Sequence, residues 1–258
     1  NGLVFVKIEE SATLASGITY EKRLYNDRDG NPVRAYVVTV APGSGVLYTG
    51  TPGDGEVLLN KNATVPSEMK SAKANGKNVI AGVNADFFDM GGTSLPRGLC
   101  VKEGVVLSEN TDRPWFAVLK DGTPVIGSSS DYATYEGQIQ TAVGGWYEIL
   151  TNGRLGDIAK GKEFGYTRHP RTAVGIKDDG TLVLMVVDGR QPSESNGASL
   201  GDLALMLREL GCTDALNLDG GGSSTLVTVS GDSFVTKNSP SGGALRYISN
   251  SLLVLIPE

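Results

Sequence analysis

The sequence predicts an α+β fold. It reads as one domain over residues 1–258, dominated by a mixed, largely antiparallel sheet with two or more helices. Three observations predict it. Asp-Gly pairs at 29–30, 121–122 and 179–180 sit between apolar runs, the strongest short-range hairpin pattern. Glycine supplies 35 of 258 residues, about twice the ~7% of average proteins, and without a G-X-Y period or Gly/Ser tract this excess marks turns. Only two segments carry helical periodicity, and no linker-like run separates the chain into parts.

Along the chain, residues 1–60 carry no motif and read as strands completing the domain, including VRAYVVTVA at 33–41. The stretch from Asn26 to Asn31 is a hairpin tip. It looks faintly like a calcium loop, but the sixth position of an EF-hand loop is glycine and here, counted from Asp27, that position is Pro32. PSEMKSAKANG (66–76) reads as a helix with Ser67 or Pro66 near its start and Gly76 as its stop. Strands follow at 114–119, 172–176 and 181–187. SLGDLALMLREL (199–210) is the stronger helix: Ser199 and Asp202 form a capping box, Leu200, Leu203, Leu207 and Leu210 share a face, and Gly211 supplies a left-handed stop. LLVLI near the C-terminus closes the sheet.

Each helix leads into the same pattern of glycine, apolar strand and Asn-x-Asp. These are Asn84-Ala85-Asp86 and Asn217-Leu218-Asp219. Period-2 geometry puts each Asn and its Asp on one face at the C-terminal end of the strand. An approximate internal two-fold relating the units could bring both pairs to one pocket.

Composition narrows the chemistry. The charge is −6 and no apolar stretch approaches the ~20 residues of a membrane helix, which argues against nucleic acid and membrane insertion. The single histidine, His169, excludes a polyhistidine zinc site, and Cys100 and Cys212 match no zinc-finger spacing. The two cysteines could pair or stay as buried thiols. Chemistry is expected to run on aspartate and arginine, and a chain beginning at Asn1 reads as a mature or excised fragment.

Four segments carry that chemistry. In Asn217-Leu218-Asp219-Gly220-Gly221-Gly222-Ser223, a carboxylate at a strand end meets three glycines whose amides could cradle an anion. His169-Pro170-Arg171 and Asp188-Gly189-Arg190 lie at the two ends of a hairpin and should meet, offering guanidinium forks suited to phosphate. Asn84 to Asp89, with Phe87 and Phe88, followed by Arg97, could wall a sugar pocket. Arg246 precedes the last strand.

The combination GVNADFFD, PRG, HPRTAVGI, VVDGRQP, SLxxLALMLxxLG, ALNLDGGGSSTLV and RxISNSLLV, in this order over roughly 65–256, resembles the phosphodiester glycosidase family, also called the NAGPA domain. The resemblance implies hydrolysis of a sugar linked through its anomeric carbon to a phosphodiester, in an extracellular or envelope setting, with cell-wall or exopolysaccharide glycans as bacterial substrates. On this reading Asp219 is the first candidate for nucleophile or general base, Asp188 the second and Asp86 the third. Arg171 and Arg190, with the amides of Gly220, Gly221 and Gly222 and the Ser223 hydroxyl, would hold phosphate. Asn84 and Asn217 would fix sugar hydroxyls or orient a carboxylate; Arg97 and Arg246 are further phosphate candidates, and His169 would line the pocket. No cofactor is required, although a divalent cation on Asp oxygens is compatible with the reaction. The rival expectations are a non-catalytic envelope glycan-binding module and a phosphodiesterase that cleaves P–O.

Overall fold

In the computed structural model, which describes residues 2–157 and 166–257, eighteen strands form three sheets. The largest has the order β1 (Val4–Ala15), β2 (Ile18–Asn26), β3 (Pro32–Val40), β14 (Leu182–Val187), β13 (Arg171–Lys177), β15 (Cys212–Leu218), β11 (Glu148–Thr151), β12 (Arg154–Leu155). A second runs β7 (Val105–Glu109), β6 (Leu99–Lys102), β10 (Ile139–Gly144), β8 (Trp115–Leu119), β9 (Pro124–Gly127). The third runs β17 (Ser233–Thr236), β16 (Leu226–Ser230), β5 (Val79–Asn84), β18 (Ser251–Leu255), β4 (Val46–Gly50). Among the described residues the α-helices include α1 (Val65–Ala74), α2 (Tyr132–Tyr135) and α3 (Leu200–Glu209).

Alternating side chains explain the layering. From β14, Leu182, Leu184 and Val186 join Val174, Ile80, Val83, Phe116 and Leu252 in a core shared by all three sheets. The alternate residues Val183, Met185 and Val187 face α3, packing on Leu200, Leu203 and Leu207. On the outer face of the third sheet, Val65, Met69 and Ala72 of α1 pack with Leu253 and Val227. β5, β13 and β14 are therefore apolar almost throughout, as strands covered on both faces must be.

Every neighbouring pair of strands in the three sheets is antiparallel, which corrects the expectation of a mixed sheet. The reason lies in what the helices connect. The segment containing α1 joins β4 to β5 and that containing α3 joins β14 to β15, but β18 and β13 are inserted between the joined strands. A helical crossover thus links strands of like direction without making them neighbours.

The Asp-Gly tips at 29–30, 121–122 and 179–180 all join antiparallel neighbours. At the first tip the buried Asp27 carboxylate accepts from Asp29 N (3.0 Å), Asn31 N (2.9 Å) and Asn196 Nδ2 (2.8 Å), which lowers its pKa to about 2 against the opposing effect of burial. The Ser199–Asp202 capping box and the left-handed Gly211 close α3 as its residues dictate. α1 starts one residue earlier than expected, with Thr64 as its cap. Cys100 and Cys212 are both buried free thiols.

Candidate active site

The C-terminal ends of β14, β15 and β5 and the start of β13 gather at one end of the fold. Hydrogen bonds tie the two Asn-x-Asp segments there: Asn84 Nδ2 donates to Asp219 O (2.7 Å) and Asp219 N to Ala85 O (2.8 Å). Asn84 Oδ1 accepts from Thr172 Oγ1 (2.8 Å) and Thr225 N (3.1 Å). Asn84 is fully buried, so it orients the main chain of Asp219 from behind and cannot reach a sugar hydroxyl.

A pocket of about 420 Å³ opens at this junction, and among its walls are Asp219, Gly220, Gly221, Gly222, Asn217, His169, Arg171, Arg190 and Arg246. Asp219 Oδ1 accepts from Gly220 N (2.9 Å). Burial pushes its carboxyl up to about 6, opposed by the Ser223 hydroxyl, the Arg246 charge and the Gly220 amide. Arg171 is buried and donates from Nε to Ala198 O (2.9 Å) and from Nη2 to Thr167 O (2.8 Å); burial and the nearby Arg190 lower its pKa to about 10. Burial also lowers the His169 pKa, helped by the charges of Arg171 and Arg190, and His169 Nδ1 lies 3.5 Å from Arg190 Nη2. Arg190 occupies the left-handed region at φ 60°, costly for a side chain of its size and a form of strain that clusters at functional sites.

The other sequence-predicted residues lie off the wall. Asp188 is buried, and its carboxylate accepts from Asn238 Nδ2 (2.9 Å), Ser239 N (2.8 Å) and the Tyr36 hydroxyl. It anchors the turn that presents Arg190 and does not face the pocket. Asp86 is buried behind the aromatic wall, where it accepts from Gly144 N (2.8 Å), and burial raises its pKa well above the usual range. Gly98 and Gly144 make room for it: a Cβ on either would come within 2.7 Å of the other's Cα. Arg97 turns outward, its Nη2 3.6 Å from Asp89 Oδ1. Ser223 is buried beneath the pocket, its hydroxyl accepting from Arg246 Nη1 at 3.3 Å.

The glycine run is a narrower cradle than three free amides. The Gly220 amide is taken by Asp219 and the Gly221 amide by Pro170 O (3.0 Å), because the loop folds back on the start of β13. Its glycines serve close approach. A Cβ on Gly222 would lie 2.4 Å from Arg246 Nη2, and one on Gly220 2.7 Å from Pro170 O. Gly222→Ala is expected to displace the mobile end of Arg246 and weaken inorganic phosphate binding about tenfold, ~1.4 kcal/mol, with an unchanged melting temperature. Calorimetric titration beside a thermal melt checks both.

Of the two phenylalanines, Phe87 lines the pocket while Phe88 packs with the α1 core. Sequence reasoning missed Trp146, which stands edge-on to Phe87 with centroids 5.1 Å apart. The signal was the preceding Gly144-Gly145, because a Cβ on Gly145 would lie 2.5 Å from Asn217 O. That close passage delivers Trp146 to the pocket. Among the described residues no group of three or more His, Cys, Asp or Glu could hold a metal ion.

Three arginines share a pocket with one partly buried carboxylate of raised pKa, a local excess of positive charge in a protein of net charge −6. The chain belongs to the phosphodiester glycosidase family, whose sequence profile matches residues 77–255. It is 29% identical over 205 residues to the SPbeta prophage-derived uncharacterized protein YomE of Bacillus subtilis, covering 76% of this chain and 31% of that protein. It is 30% identical over 198 residues to the N-acetylglucosamine-1-phosphodiester alpha-N-acetylglucosaminidase of Bos taurus, covering 70% of this chain and 36% of that one. The chain thus spans about a third of the length of these curated relatives. The catalytic domain of the zebrafish enzyme of that name has the same fold, with a TM-score of 0.76 at 24% identity over 96% of this chain and 83% of that one. A Synechocystis protein of unassigned function matches with a TM-score of 0.73 at 15% identity, over 98% and 64% of the respective chains. Among the described residues no helix is long and apolar enough to cross a membrane.

Proposed function

We propose that this protein hydrolyses the glycosidic bond of a sugar-1-phosphodiester, releasing the sugar and leaving a phosphomonoester. The observation that carries the reading is the imbalance of the pocket: Asp219 is its one acid among the described residues, and its lining also includes Arg171, Arg190 and Arg246. An ordinary glycosidase needs a second carboxyl group to protonate its leaving group. A phosphodiester leaves as a stable anion and needs positive charge in place of that proton. Asp219, ionised, acts as nucleophile at the anomeric carbon or takes a proton from the attacking water. The C1–O bond breaks with its electron pair on the bridging oxygen, which stays on phosphorus, and water supplies the new oxygen at C1.

N-acetylglucosamine, named in the animal relatives, is the first sugar to test, on a cell-wall or exopolysaccharide aglycone outside the cell or at its envelope. The two helix–strand units, each a crossover around an inserted antiparallel strand, are read as related by an approximate two-fold whose Asn-x-Asp ends support one site.

Hydrolysis of a panel of sugar-1-phosphodiesters in oxygen-18 water tests the reaction. Label in the released sugar, with an unlabelled phosphomonoester, is the expected result. A sugar 1-phosphate carrying the label would mean P–O cleavage, and turnover of none of the panel would favour a glycan-binding module.

A further inference from the structure

The pocket has two chemically distinct sides. Arg171, Arg190 and Arg246 are one, and the apolar surfaces of Trp146, Phe87 and Met90 are the other. Trp146 is only partly buried, whereas the chain's other tryptophan, Trp115, is fully buried in the second sheet. Arg113 lies outside the pocket wall and stacks on the indole, with its guanidinium carbon 3.9 Å from the centroid of Trp146 and 5.9 Å from that of Phe87. Arg113 Nη1 is buried without a hydrogen-bond partner. The guanidinium also faces the field of the buried Asp86. An arginine with an unpaired buried nitrogen is costly to keep, and the contact it makes there is with the ring. Edge-on Phe87 and stacked Arg113 together restrict how the indole can turn.

We propose that Trp146 is the platform on which the sugar ring of the substrate stacks, and that Arg113 is a positioning residue holding the indole in that pose. This rests on the glycosidase reading and adds which side of the pocket takes which half of the substrate. The C–H face of a pyranose is apolar and weakly positive, and so complements the negative face of an aromatic ring. The phosphate then falls to the arginines, with the C1–O bond beside Asp219.

The full chain is titrated calorimetrically with N-acetylglucosamine and, separately, with inorganic phosphate, while tryptophan emission is followed. In the unsubstituted protein the sugar is expected to change the emission saturably, and in Trp146→Phe, where only the buried Trp115 emits, that change disappears. Trp146→Ala, with Trp146→Leu beside it to fill more of the space, should weaken sugar binding at least tenfold and leave phosphate binding within twofold. Arg113→Met should weaken sugar binding about fivefold with phosphate unchanged, and Arg113→Lys should recover part of that loss. No saturable response to sugar, or equal losses for sugar and phosphate, overturns the proposal. Binding is read without turnover. Sugar held at Trp146 with no hydrolysis of any phosphodiester would sink the catalytic reading alone. Hydrolysis with KM unchanged in Trp146→Leu would sink the platform alone.

Discussion

Asp219→Asn is expected to lower kcat/KM for a sugar-1-phosphodiester at least ~100-fold, about 2.7 kcal/mol of transition-state stabilisation. The amide keeps an oxygen for the Gly220 N–H, so the loop should hold its shape. The pH profile provides a second readout. Burial raises the Asp219 carboxyl to about 6, so the ionised form needed for attack or proton abstraction predominates only above that pH. Activity should rise through an inflection near 6, and this limb should be absent from the residual activity of the variant. Since the folded pKa exceeds the unfolded one, the ionised carboxylate costs stability above pH 6, and the variant should be at least as stable at pH 7. Activity within threefold of the unsubstituted protein would remove Asp219 from the proposed chemistry.

The second large effect is on stability. Glu68, in the first turn of α1, is fully buried; Oε2 accepts from Ser251 Oγ at 2.5 Å, and Oε1 has no hydrogen-bond partner. Burial pushes its carboxyl up to about 8, opposed by Ser251 and by the Lys102 charge. Between the unfolded value of 4.5 and this folded one, the native protein holds a proton that the unfolded chain releases. Stability therefore falls as pH rises through this window and levels off above it. The accumulated penalty is on the order of 5 kcal/mol. Glu68→Gln keeps an acceptor for Ser251 and removes the titration. Its unfolding free energy, from urea denaturation, should gain on that of the unsubstituted protein between pH 5 and pH 8. A difference that stays constant with pH would mean that Glu68 is ionised in the fold throughout. Ser251 pairs in register with Asn84, so this buried acid lies behind the strand that supports Asp219.

The legible parts of the fold were those written in local chemistry. Asp-Gly tips, the Ser199–Asp202 box and Gly211 act within a few residues, and each appears where its residues require. The sheet pairing was not local. A helix between two strands signals a crossover, but the strands inserted between them come from elsewhere in the chain: β18 from the C-terminus and β13 from just before β14. In the site, the motif residues with polar side chains at strand ends were found, yet their roles divided according to burial. Asn84, Asp86 and Asp188 sit one layer behind the pocket, satisfied or sealed by neighbours distant in sequence such as Gly144, Asn238 and Thr172. Trp146 and Arg113 belong to no motif, and they come together through a contact that leaves no periodicity to read.

By itself, the sequence determined the family, through motifs that fall within the stretch its profile matches, and its single histidine directed the candidate chemistry toward aspartate and arginine. Only the tertiary structure decided which aspartate lines the pocket. Period-2 alternation says which residues share a face of a strand. Whether that face meets a pocket or another layer depends on the sheet packed against it, and here Asp219 opens into a cavity ringed by arginines while Asp86 and Asp188 are enclosed by protein.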